Sequence, residues 1–165
     1  MNPKLSEQFF VRDNEEKDFG VLIDLTYRCA LECPRCQRQE FFRDHGEKVW
    51  GEDIPLDTIE KATDTFKAIN FGGQLSDPIH HPNFIEILKL CYEKGVQANV
   101  QTASTGKPKS WFIKAFEANP NARWQFGIDG LPEESHKYRV NQDGQKLFDI
   151  MLSLIHISEP TRRYF

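Results

Sequence analysis

The apolar residues of this chain alternate between short β-rich runs and longer stretches with helical spacing. GVLIDLTY (20–27) is the first expected strand, and it ends at a cysteine-bearing loop. A polar, charged connection follows over about residues 37–55 and includes FFRDHGEKVWGED. In LDTIEKATDTFKAI (56–69), Ile59, Ala62, Phe66 and Ile69 recur at helical spacing, which predicts a helix. Asp57, with Glu60 three residues on, reads as its N-terminal capping signal. NFGG (70–73) predicts a short strand that runs into a glycine pair. Phe84, Ile87, Leu88 and Cys91 share one face of a second helix, where Asn83 and Glu86 repeat the cap signal and Gly95 supplies the stop. VQANVQTAS (96–104) is the third strand, and SWFIKAFEAN after Pro108 is a helix stopped at Asn119-Pro120. ARWQFGIDG (122–130) is the fourth strand, and GQKLFDIML opens a fourth helix.

Strand and helix alternate at about 25 to 30 residues per unit, which predicts an α/β fold of parallel βα repeats, in a barrel or a doubly wound sheet. The cysteine loop, the GG segment and the IDG segment each follow a strand directly. In a parallel sheet all three gather at the C-terminal edge of the strands, where such folds place their chemistry.

Composition adds bounds. The 165 residues suffice for one domain with a core, and 39% hydrophobic with 28% charged residues describes a globular chain. A net charge of -4 gives no argument for nucleic acid or an anionic membrane surface. No apolar run approaches the roughly 18 residues of a spanning helix, and residues 1–19 carry no apolar signal-peptide core. The expected compartment is the reducing cytoplasm, where disulfides rarely persist. Three segments are expected: a leader over 1–19, a core domain over 20–151, and a tail over 152–165. Within that tail, LSLIHISEPTR (152–162) resembles the frame translation of a transposase-type sequencing adapter. The expectation is a non-native tail on a fragment whose natural frame continues past Met151, and a fragment that by itself is poorly soluble or inactive.

The chemistry concentrates in CALECPRC. Cys29, Cys33 and Cys36 follow C-x3-C-x2-C, and the fourth cysteine, Cys91, lies on the apolar face of a predicted helix. Zinc would use the Cys33-x2-Cys36 half-site and would need a fourth ligand from Cys91, His45, His80 or His81. A cubane iron–sulfur cluster normally takes four thiolates. With three, one iron keeps an open position, as catalytic metal sites do. Both readings stand on the residues alone.

CALECPRC resembles the C-x3-C-x2-C signature of the radical S-adenosylmethionine (SAM) superfamily, which follows the first strand of a βα barrel. FGGQLSDPIHHPNF resembles that family's second-strand motif, G-G-E-P followed shortly by H-P. GIDGLPEESHKYRV resembles the S-I-D-G-x-x-x-x-x-H-x-x-x-R stretch after its fourth strand. The resemblance spans about residues 20–151 and departs at Arg35, at Gly127 in place of serine, and at the acid, supplied by Asp77 or replaced by Gln74. It implies a partial parallel (β/α) barrel with about four of six βα units. It implies a [4Fe-4S] cluster on Cys29, Cys33 and Cys36 that reductively cleaves SAM to a 5′-deoxyadenosyl radical, which abstracts hydrogen from substrate. It further implies cofactor contacts from Gly72, Gly73, Gln74, Asp77 and Asp129, and an electron donor such as a flavodoxin or ferredoxin. The substrate is not specified, although the GIDG stretch favours the branch that contains peptide- and protein-modifying members. The contrasting expectation is a non-enzymatic zinc-binding domain on the same cysteines.

Overall fold

A computed structural model describes residues 20–73 and 75–158. The expected 1–19 leader, Gln74 and tail residues 159–165 lie outside the described residues. Four strands form one parallel sheet: β1 (Gly20–Ile23), β2 (Ala68–Phe71), β3 (Gln97–Thr102) and β4 (Arg123–Phe126). Their spatial order is β1-β2-β3-β4. That order advances one strand at a time, as in the wall of a βα barrel, whereas a doubly wound sheet reverses direction partway. The chain is therefore α/β with a four-stranded parallel sheet, compatible with a partial β/α fold.

The helices are α1 (Gln37–His45), α2 (Leu56–Thr65), α3 (Phe84–Glu93), α4 (Lys109–Ala118), the single turn α5 (Ser135–Tyr138) and α6 (Gly144–Ser158), with a 3-10 turn at Pro78–His80. Side chains alternate along each strand because the pleat has a period of two. Ile69, Phe71, Ala98 and Val100 are buried on the helix side, with Val21, Ile23, Trp124 and Phe126 packed against that core. Leu22, Asn70, Asn99 and Arg123 occupy one register row of the other face, which is mostly polar.

The core is built as the periodicity predicts in α3, where Phe84, Ile87, Leu88 and Cys91 are all fully buried. Gly95 stops that helix at φ 67, a left-handed conformation that costs glycine no Cβ clash. Trp124 packs edge-on against Phe116 at 5.0 Å and stacks with Phe126, and Trp111 stacks on Phe84. Trp50, by contrast, is 82% exposed.

Several boundaries differ from expectation. β1 ends at Ile23, so Tyr27 packs outside a strand; a Cβ on Gly51 would sit 2.9 Å from the Tyr27 Cβ. The second strand runs into the glycine pair as expected but starts earlier, at Ala68. The helix expected to reach Ile69 ends at Thr65, and Ile69 enters β2 instead, where parallel pairing with Val21 and Ala98 overrides the helical spacing. Asp57 does not cap α2. Pro55 occupies the cap position, and Asp57 lies in the first turn, paired with Lys61 at 3.7 Å. Asn83 does hold the cap position of α3, but without a side-chain cap bond. The connection expected over 37–55 contains α1, a helix with no buried residue. It lacks the apolar stripe by which helices are recognised. Its end is marked by Gly46 at φ 71, whose N–H bonds the Phe42 carbonyl. α6 continues through Met151 to Ser158, so the first part of the tail segment is helical.

Candidate functional site

The three segments that follow strands meet at one edge of the sheet, tied by backbone hydrogen bonds. The Asp77 N–H donates to the Arg28 carbonyl (2.9 Å), which joins the segment after β2 to the cysteine loop. The Glu32 N–H donates to the Val140 carbonyl (3.1 Å), which joins the same loop to the segment after β4. Gln142 is buried and donates from Nε2 to the carbonyls of Ala103 (2.6 Å) and Gly127 (3.0 Å), bracing the ends of β3 and β4.

Between these segments lies a cavity of about 730 Å³. Cys29, Cys33 and Cys36 line it together with Gly73, Asp77 and Asp129, as do Arg35, Arg38, Lys137 and Arg139. Six of the eight residues singled out in the sequence thus share one cavity. Gly72 is buried behind it, and Gln74 lies outside the described residues.

The cysteine loop is shaped locally. The Leu31 N–H points at the Cys29 Sγ (3.4 Å), and the Cys36 N–H bonds the Cys33 carbonyl (3.0 Å), closing the C-x2-C turn. Cys36 sits at the N-cap of α1. Burial pushes the Cys29 thiol up to about 11, partly offset by the Leu31 N–H; burial also raises Cys33, opposed by Arg139. Metal ligation requires these thiols to give up their protons. No disulfide joins the cysteines among the described residues. Nor, among those residues, do three His, Cys, Asp or Glu groups converge on a point that would hold a single ion.

The four groups considered as a fourth zinc ligand are engaged elsewhere. Cys91 is fully buried in the core. His45 stacks on Phe41 at 4.3 Å. His80 Nε2 lies 2.8 Å from the Ser104 Oγ. His81 Nε2 lies 2.9 Å from the Ile54 carbonyl oxygen, while its Nδ1 accepts from the Asn83 N–H. The two histidines thus shape the turn into α3.

Both glycines also have close neighbours within the chain. A Cβ on Gly72 would lie 3.0 Å from the Gln101 Oε1 and 3.1 Å from the Leu22 Cδ1, side-chain ends that can shift. A Cβ on Gly73 would lie 2.4 Å from the Ser76 carbonyl oxygen, so there the backbone itself excludes a side chain.

Asp77 is 4% exposed, and both oxygens are occupied. Oδ1 and Oδ2 accept from the Thr102 hydroxyl (2.8 and 2.9 Å), Oδ2 accepts from the N–H groups of Ala103 and Ser104 (both 3.0 Å), and Oδ1 accepts from the Ile79 N–H (3.3 Å). Burial pushes the carboxyl above the ordinary carboxylate range, against the pull of the Ala103 and Thr102 donors. Burial likewise lowers the neighbouring His80. Asp77 caps the 3-10 turn and clamps the end of β3, uniting the turn role and the site position that the sequence left open.

The Arg38 Nη1 donates to the carbonyls of Tyr27 and Leu75 (2.6 Å to the latter), stapling together the segments after β1 and β2. Its Nε is buried without a partner in the structure. Replacing Arg38 with methionine is expected to cost about 2 kcal/mol, because hydrogen bonds from a charged donor contribute about 1.5–3 kcal/mol. A urea unfolding midpoint at unchanged slope measures it.

Scans against family models and curated proteins found no match to this chain. Among the described residues, no helix is long and apolar enough to cross a membrane.

Proposed function

We propose that this chain carries a radical SAM enzyme core, a partial (β/α) barrel in which Cys29, Cys33 and Cys36 hold a [4Fe-4S] cluster. The observation that carries the reading is the shared cavity. Three thiols from one loop face it together with Gly73 and Asp129, which come from different strand ends. Topology thus assembles side chains that lie up to a hundred positions apart in the sequence. The donor set fits a cubane, which takes thiolates on separate irons. Zinc would require a fourth ligand on the same ion; of the groups considered for that place, Cys91 is committed to the core, His80 and His81 to a turn, and the exposed His45 to a stack on Phe41.

When bound, the cluster and SAM would supply one-electron cleavage of the sulfonium and hydrogen abstraction; the protein supplies binding, orientation and exclusion of water. Cys29, Cys33 and Cys36 would ligate as thiolates after losing their protons. Asp77 would hold the cavity wall in place, and its full set of donors argues for support over direct contact with an ammonium group. Asp129 is 43% exposed on its side chain and remains the carboxylate best placed to meet a cofactor hydroxyl. The low-potential electron would come from a flavodoxin- or ferredoxin-type donor in the cytoplasm. A peptide or protein substrate is favoured by the GIDG resemblance alone.

Anaerobic reconstitution with iron and sulfide tests the reading. The expected result is a brown protein with a paramagnetic signal on reduction, which releases 5′-deoxyadenosine from SAM when supplied with a strong reductant. A colourless chain that retains stoichiometric zinc would establish the zinc-binding reading instead.

A further inference from the structure

Arg139 is the cavity residue whose placement the sequence reading leaves unexplained. It is the terminal arginine of GIDGLPEESHKYRV, just past α5, and it lines the cavity with the three cysteines. Its Nε donates to the Asp129 Oδ2. Its guanidinium lies across the end of β4: a Cβ on Gly127 would stand 3.1 Å from the Arg139 Nη2 and 3.2 Å from its Cζ. A side chain at Gly127 would crowd this guanidinium and the Ala103 Cβ, 3.1 Å away. The backbone fixes the same approach from the other side. Glu32, next to Cys33, is hydrogen-bonded to Val140, next to Arg139, and Asn141 Nδ2 donates to the Ala30 carbonyl (3.4 Å). Arg139 and Cys33 line the same cavity wall, and the Arg139 charge pulls the Cys33 thiol down against the effect of burial.

We infer that Arg139 is a positioning residue for the cysteine loop, a fixed positive charge held beside Cys33 and aimed by Asp129, which makes the bound cluster easier to reduce. The inference rests on the cluster reading above. Reduction adds one negative charge to the site, so a fixed cation beside a ligating sulfur favours the reduced form. Hydrogen bonds to the sulfurs and net charge are established controls on cluster potential. Asp129 has the opposite sign. It holds Arg139 in place and partly offsets its charge.

The test is an anaerobic redox titration, followed by paramagnetic resonance, of the reconstituted chain and its R139Q, R139K and D129N variants. In R139Q the ratio of reduced to oxidised cluster at a fixed poise is expected to fall about tenfold, which for one electron is about 59 mV. R139K keeps the charge and is expected to recover most of that ratio, while D129N, which keeps an acceptor oxygen for the Arg139 Nε but removes the opposing charge, is expected to shift it the other way. Should R139Q fail to fold, R139K and D129N decide, because their expected displacements differ in sign. Wild type and variants titrating together would overturn the role of Arg139 and leave the cluster reading standing. If none of the four proteins takes up iron, the cluster reading and this inference fall together.

Discussion

Alanine at any one of Cys29, Cys33 or Cys36 is expected to reduce the iron retained after anaerobic reconstitution from about four per chain to near zero. The reason is the absence of slack. A cubane on three thiolates has no protein ligand to spare, and the groups nearest in chemistry are committed: Cys91 is in the core of α3, and His80 and His81 hold the turn before it. Cys91→Ala separates ligation from folding. It removes a buried sulfur from the apolar cluster around Phe84 and Leu88, so it should cost about 1–2 kcal/mol of stability while leaving the iron content unchanged. Iron and sulfide quantitation, with absorbance before and after gel filtration, reads both effects. If Cys29→Ala retained the wild-type metal content, Cys29 would not be a ligand, and the C-x2-C half-site would have to be read as zinc.

The parts of this site that could be read in the sequence are those governed by local spacing. The cysteine loop, the glycine pair and the IDG segment each follow a strand, and a parallel sheet has one C-terminal edge, so their meeting follows from topology. The face of α3 was legible because four apolar residues recur with helical period and nothing competes. Where long-range pairing competes with local pattern, the pattern loses. Ile69 fits the helix by spacing but is placed by its partners Val21 and Ala98 across the sheet. α1 buries nothing, so it has no apolar stripe to find, and only Gly46 with Arg43 and His45 in the last turn could have signalled its end. Arg38 and Arg139 were missed for a different reason. Their partners are backbone carbonyls and a carboxylate from other segments, and no residue type or spacing encodes those contacts. The glycines were legible as positions that disfavour a side chain. What crowds one there, the Ser76 backbone at Gly73 and the movable ends of Gln101 and Leu22 at Gly72, comes from the fold.

Asp77→Ala is expected to destabilise the chain by about 3–5 kcal/mol, the largest effect of any single side chain at this edge. Removing the carboxylate strands the Thr102 hydroxyl and the Ala103 N–H and leaves the Ser104 N–H only its 3.2 Å bond to the Thr102 Oγ1, and each buried donor left without an acceptor costs about 1–3 kcal/mol. Thr102 and Ser104 are at most 4% exposed, so water does not replace the acceptor without opening the loop. Asp77→Asn should cost roughly half as much, since one acceptor oxygen survives while the new amide N–H groups face donors. The consequence reaches the cavity, because the same carboxylate joins the turn after β2 to the end of β3, and the Asp77 N–H ties that turn to Arg28 in the cysteine loop. The urea midpoint of each variant at constant slope gives the stability change. Iron uptake, measured well below that midpoint, gives the effect on the site. If Asp77→Asn matched wild type in stability, the donors around it would not be holding the loop, and Asp77 would return as a group free to meet a ligand. If it lost stability yet took up iron normally when folded, its role would be to brace the wall behind the thiols, which is the role the four hydrogen-bond donors assign it.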